Sequence, residues 1–208
     1  MSDSPDDRWR GTSSDERAEE RRERLLAACH DIVGQQGSSA LAVRAVCRAA
    51  NVSPRHFYEC FADADLLLLA TYERAVHQLL DAVSAAEPSG ASFENRLHAA
   101  FDVAASYLET HPESGRIIFR EALTNDVLRT RAVITLPAFL GAVRQLALEP
   151  GRGRGAAPYR HLEATLVSGG LAAVFVEWLS DTGKFTRDQL VSYCTAASLT
   201  LLSAELPS

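Results

Sequence analysis

The tetrapeptide Asn51-Val52-Ser53-Pro54 constrains the fold more than any other feature of this chain. It falls between two short apolar-patterned stretches, so two short helices must meet there at a sharp angle. Asn is the commonest non-glycine residue at a positive φ, which suits Asn51 to the turn. Ser53 can act as an N-cap, and Pro54 fits the first helical position, where a missing N–H costs nothing. The pattern predicts a second helix over 41–49, a third over about 54–60, and an interior of Val46, Ala50, Val52, Phe57 and Phe61. Arg55, His56 and Glu59 then point outward with Pro54 at the tip. This is the arrangement of a helix-turn-helix.

The remainder also reads as helix. Of 208 residues, 33 are Ala and 26 are Leu, both strong helix formers. Residues 1–16 are polar and read as a disordered arm, and Ser14-Asp15-Glu16 opens a first helix that Gly37 ends. Asp63 or Asp65 caps a fourth helix, which runs to Glu87-Pro88-Ser89-Gly90. Further helices are expected from Ser92 to Thr110, from His111-Pro112 onward, and from Asn125/Asp126 to about Leu148 with a kink at Pro137. Residues 149–155 read as a loop, before helices over about 157–180 and 186–204. No stretch alternates β-branched residues between turn signals, so the fold class is all-α.

Several function classes drop out. The longest apolar run in the body, Leu171 to Val176, has six residues against the roughly 20 of a membrane span, so no membrane association is expected. The N-terminus lacks the basic start and apolar stretch of a signal peptide, and a cytoplasmic location follows as an expectation. Cys29, Cys47, Cys60 and Cys194 form no C-x-x-C pair, and the histidines are scattered, so neither a metal nor a cofactor is expected. Gly151-x-Gly153-x-Gly155 has no strand before it and reads as a loop. With no G-x-S-x-G or H-E-x-x-H present, the chain does not read as an enzyme.

Charge is more informative. The net value is −6, yet residues 32–58 contain no acid and three bases, Arg44, Arg48 and Arg55. An acid-free window in an acidic protein is a local electropositive face suited to a phosphate backbone. It coincides with the helix-turn-helix. Arg55 and His56 occupy the first turn of the exposed helix, where Arg can grip guanine O6 and N7 or either side chain can hold a phosphate. Arg44 is a phosphate candidate, and Ser53 can meet a phosphate as well as cap its helix.

The run from Ala42 to Phe61 resembles the TetR family of transcriptional regulators, whose pattern is T-V-x-x-I-A-x-x-A-G-V-S-x-x-x-(L/F)-Y-x-H-F. Ala50, Val52-Ser53, Phe57-Tyr58, Phe61 and then Asp65-Leu66-Leu67 carry the likeness. The chain departs from it at Ala42, Asn51, Cys60 and Ala64, where the family usually has Thr, Gly, His and Lys. The resemblance implies that Arg44, Ser53, Pro54, Arg55, His56 and Tyr58 contact double-stranded DNA. It also implies three parts, namely the arm (1–16), a helix-turn-helix DNA-binding domain (17–64) and an effector-binding and dimerisation domain (65–208).

In that larger domain Phe101, Ala104, Tyr107, Phe119, Phe139, Phe175 and Trp178 read singly as core, and the resemblance makes them candidates to line a pocket for a small apolar or amphipathic effector. Arg116, Arg120 and Glu177 are possible polar contacts. A stripe of Leu162, Leu166, Gly169, Gly170 and Ala173, with Leu190, Cys194, Ala197 and Leu201 on the last helix, suits close packing in a homodimer. The implied function is a repressor released from a palindromic operator by its ligand. The alternative is a helical protein-interaction module whose helix-turn-helix does not bind DNA.

Overall fold

The computed structural model describes residues 6–85, 91–135, 157–180 and 184–203, and among them every regular element is helical. In order these are α1 (Asp6–Gln36), a 3₁₀ turn (Ser38–Ala40), α2 (Val43–Ala50), α3 (Pro54–Cys60), α4 (Ala64–Ala85) and α5 (Phe93–Thr110). Helix α6 joins Pro112–Gly115, a π-helical turn over Arg116–Glu121 and Ala122–Thr124. It is followed by α7 over 126–135, α8 (Ala157–Ser180) and α9 (Arg187–Ser203). The expected kink at Pro137 and the loop at 149–155 lie outside the described residues.

Two compact units result, Met1–Glu73 and Arg74–Ser208, with the boundary inside α4. Helix α1 begins at Asp6 and so reaches well into the stretch read as a disordered arm. The physical reason is cooperativity: once a turn exists, each added residue fixes two dihedrals and gains one hydrogen bond, so a helix extends without an apolar face.

Unit 1 is built on the tight turn. Asn51 sits in the left-handed region at φ 52, ψ 48 and is the one described non-glycine residue with positive φ. Its N–H donates to the Arg48 carbonyl at 3.3 Å, and the Val52 N–H donates to the Cys47 carbonyl at 2.9 Å. Together these bonds form a Schellman cap that satisfies the open carbonyls ending α2. Arg24 Nη1 of α1 reaches the Asn51 carbonyl at 3.5 Å and ties the turn to that helix. Ser53 Oγ accepts from the His56 N–H at 3.3 Å with Pro54 at the first helical position. Asp63 Oδ1 caps α4 through the Leu66 N–H at 2.8 Å. Ala42 gives α2 no side-chain cap.

Val46, Ala50, Val52, Phe57 and Phe61 are all buried, joined by Leu25, Leu26, Cys29 and Val33 from α1. Asn51→Ala forces a Cβ-bearing residue without a local side-chain hydrogen bond into the left-handed region. Urea unfolding should show a loss of about 1–2 kcal/mol, whereas Asn51→Gly should cost nothing.

Unit 2 centres on Leu97, Phe101, Ala105 and Leu108 of α5, Phe175 and Trp178 of α8, and Leu190, Val191 and Cys194 of α9. Arg187 clamps α9 to α5, donating from Nε to Asp102 Oδ1 at 2.9 Å and from Nη1 to Glu109 Oε2 at 3.3 Å. These carboxylate hydrogen bonds, Asp102 foremost, raise its guanidinium pKa further. Gly115 marks a close approach, since a Cβ there would stand 2.8 Å from Leu179 Cδ1 on α8. None of the four cysteines forms a disulfide, and burial pushes the Cys194 thiol up to about 11.

Candidate nucleic-acid interface and effector cavity

Helix α3 presents two opposite faces from adjacent residues. Phe57 is fully buried and meets Phe61 with ring centroids 6.2 Å apart, while Tyr58 is 59% exposed. The Arg55 side chain is 88% exposed, with Nε 3.4 Å from Glu59 Oε1, and His56 Nε2 lies 4.0 Å from Glu59 Oε2. Such pairs on a helix surface contribute only about 0.2–0.5 kcal/mol, so either side chain can leave Glu59 for a stronger partner. Arg44, Ser53 and Pro54 are also exposed. The face therefore offers Arg55, His56 and the Tyr58 hydroxyl on one short helix and Arg44 on the helix before it.

In unit 2 a cavity of about 60 Å³ lies between Val76, Leu79 and Leu80 of α4, Leu97, Ala100, Phe101, Ala104 and Leu108 of α5, and Ile118 and Phe119 of α6. Thr135 of α7 and Ser168, Leu171, Ala172 and Phe175 of α8 complete the described lining. A second cavity of about 180 Å³ adjoins it. Of the expected lining residues, Phe101, Ala104, Phe119 and Phe175 line the first cavity. Phe139 lies outside the described residues.

Two candidates belong elsewhere. Trp178 is 2% exposed within the core, edge-on to Phe175, and Tyr107 stacks on His111 with centroids 4.3 Å apart. Of the polar candidates, Arg116 bridges to Glu121 at 3.3 Å, Glu177 pairs with Lys184 at 2.7 Å, and Arg120 is exposed. None of the three lines either cavity. The sequence reading overlooked Val76, Leu79 and Leu80, apolar residues of α4 that a periodic pattern marks only as buried.

It also overlooked Glu121, a carboxylate only 5% exposed. The signal was its spacing of five from Arg116. That is out of register for an α-helix and in register for the i→i+5 π-turn that connects them.

The packing stripe on α8 is open. Leu162 and Leu166 are 60% and 65% exposed, Gly169, Gly170 and Ala173 are exposed, and among the described residues no atom beyond the helix's own backbone lies within 4 Å of a Cβ built on either glycine. On α9 the expected stripe needs correction. Leu190 and Cys194 turn into the unit's own core, at 2% and 1% exposure, because with Val191 they pack into one apolar cluster with Leu97, Phe101, Ala105 and Leu108 of α5. The outward side carries Tyr193, 67% exposed, and Leu201, with Ala197 half-buried beside them.

No protein-family model matches the chain. The HTH-type transcriptional activator FasR of Mycolicibacterium smegmatis is 26% identical over 178 residues, covering 83% of this chain and 78% of that protein. A solved structure of a TetR-family transcriptional regulator from Rhodococcus sp. superposes with a TM-score of 0.70 at 21% identity, covering 88% of this chain and all of that one. The chain has the fold of the TetR family. The fatty acid degradation regulator FadR from Bacillus halodurans superposes with a TM-score of 0.68 at 18% identity, over 88% of this chain and 95% of its own. A TetR-like match of this extent covers far more than a helix-turn-helix. Among the described residues no group of His, Cys, Asp and Glu could hold a metal, and no helix is long and apolar enough to cross a membrane.

Proposed function

We propose that the protein is a DNA-binding transcriptional regulator, a homodimer that represses from a palindromic operator and is released by a small apolar or amphipathic effector. One observation carries the reading. Helix α3 is a seven-residue helix seated by Phe57, and its outer face holds Arg55, His56 and Tyr58 inside a segment without acids until Glu59. A short helix presented this way fits a major groove, with Arg55 on a base edge and Arg44 on a phosphate. The TetR-like fold and the likeness to an HTH-type activator support DNA binding by unit 1 and regulation by the chain. The open apolar stripe of α8 supports a second copy as the partner, and the carbon-lined cavity supports an effector in unit 2. The effector acts by population shift: it favours an arrangement with low operator affinity, by as much as it prefers that arrangement.

Two substitutions distinguish the roles. Arg55→Ala should weaken binding by about 1–3 kcal/mol and relax the preference at one base pair, as loss of a bidentate guanine contact does. Arg44→Ala should weaken all duplexes alike and lower the salt slope by about one. Fluorescence anisotropy against a selected site and a scrambled duplex, at two salt concentrations, reads both. If both variants bind like wild type, the helix-turn-helix does not contact DNA.

A further inference from the structure

The two cavities described above share a wall made of Ile118, Phe119, Ser168 and Ala172. The inner one presents carbon almost throughout. Thr135 and Ser168 carry its only polar side chains among the described residues, and Ser168 Oγ already donates to the Thr165 carbonyl at 3.2 Å. The outer one has a single charged side chain among its described lining residues, Arg129, and no carboxylate. An unpaired polar head in the inner cavity would lose its hydration without compensation. A guest is therefore held with carbon inside and its head outward.

We propose that the effector is a linear amphiphile with a carboxylate head, its alkyl chain passing Phe119 into the inner cavity and its carboxylate meeting Arg129. The proposal rests on the reading of this cavity as the effector site. The two cavities, of about 60 and 180 Å³, have four lining residues in common, so a guest that reaches from one into the other passes their common wall. Phe119 belongs to the shared wall. It is half-buried, stacks on Phe175 with centroids 5.6 Å apart at 14°, and stands in the π-turn, a local geometry frequent at functional sites. Arg129 has a fork of five N–H donors, of which Nη2 reaches Asp126 one turn away. Both partners are exposed, at 58% and 84%, and an exposed pair of this kind is worth little, so the fork can take a second carboxylate at the cavity mouth.

Calorimetry on the intact protein tests this with three probes below their micelle concentrations: dodecanoate, dodecan-1-ol and dodecyltrimethylammonium. Dodecanoate should bind about tenfold more tightly than the alcohol, with the cation weakest, since a charge-assisted hydrogen bond separates them. The preference should fall as salt is added. In Arg129→Gln the ratio of acid to alcohol should approach one, and Arg129→Lys should restore part of it. If the alcohol or the cation binds wild type as well as the acid does, the head-group assignment is overturned while the cavity reading stands. If none of the three binds, both are overturned.

Discussion

Replacing Phe57 with Ala should destabilise the protein by about 3–5 kcal/mol and abolish operator binding in the same variant. Phe57 is fully buried and lies against Phe61 and edge-on to Tyr58, at 6.2 and 5.3 Å between centroids. Removing its ring empties the centre of unit 1, a unit small enough that such a loss is a large part of its stability. Thermal unfolding should move down by about 10 °C. Tyr58→Ala is the matched control: that ring is mostly solvated, so its loss should leave the melting temperature within about 1–2 °C while still weakening DNA binding. A Phe57→Ala protein that melts like wild type would mean that α3 is not seated by this residue.

Gly170→Leu should convert the protein to a monomer and lower operator affinity by about a hundred- to ten-thousandfold, the effect of losing the second, tethered half-site. The surroundings of Gly170 make the test clean. Among the described residues nothing lies within 4 Å of a Cβ there, and Gly170 is exposed, so a larger side chain meets no described neighbour. A mid-helix Gly costs about 1 kcal/mol relative to Ala, and Gly170→Ala should therefore raise protomer stability by that amount. Leu at the same place breaks only an interface in which two helices approach closely. Sedimentation velocity reads the state, with anisotropy on a palindromic duplex alongside. A Gly170→Leu protein that stays dimeric would move the interface away from this face of α8.

The helix-turn-helix was legible because its chemistry is local. The left-handed Asn51, the Ser53 cap and Pro54 are dictated by residues within a few positions of each other, and so is the burial of Phe57 against the exposure of Tyr58. Helix α9 was legible as a helix but not in its facing. Apolar residues surround it, and two stripes one residue apart, through Leu190 and Cys194 or through Tyr193 and Leu201, satisfy the same period. Only packing against α5 and α8 decides between them. The cavity was half legible for a related reason. Phe101, Phe119 and Phe175 line it and Trp178 does not, because a void depends on which small residues stand opposite an aromatic, here Ala100, Ala104 and Ala172. Facing across helices is a tertiary fact that composition does not carry. The π-turn was similarly hidden, apart from the five-residue spacing of Arg116 and Glu121.

Selection of wild-type protein on a pool of random-sequence duplexes, followed by sequencing of the bound fraction, tests the central claim and lets the protein choose its own operator. Two copies of α3 related by a two-fold axis must read two successive major-groove faces, about 34–36 Å or a multiple of that apart. The bound pool should converge on two inverted half-sites whose centres lie a whole number of helical turns apart, with a guanine in each half-site that Arg55→Ala ceases to select. A pool that stays random after repeated rounds at low salt, or that converges on a single unrepeated site, would contradict it.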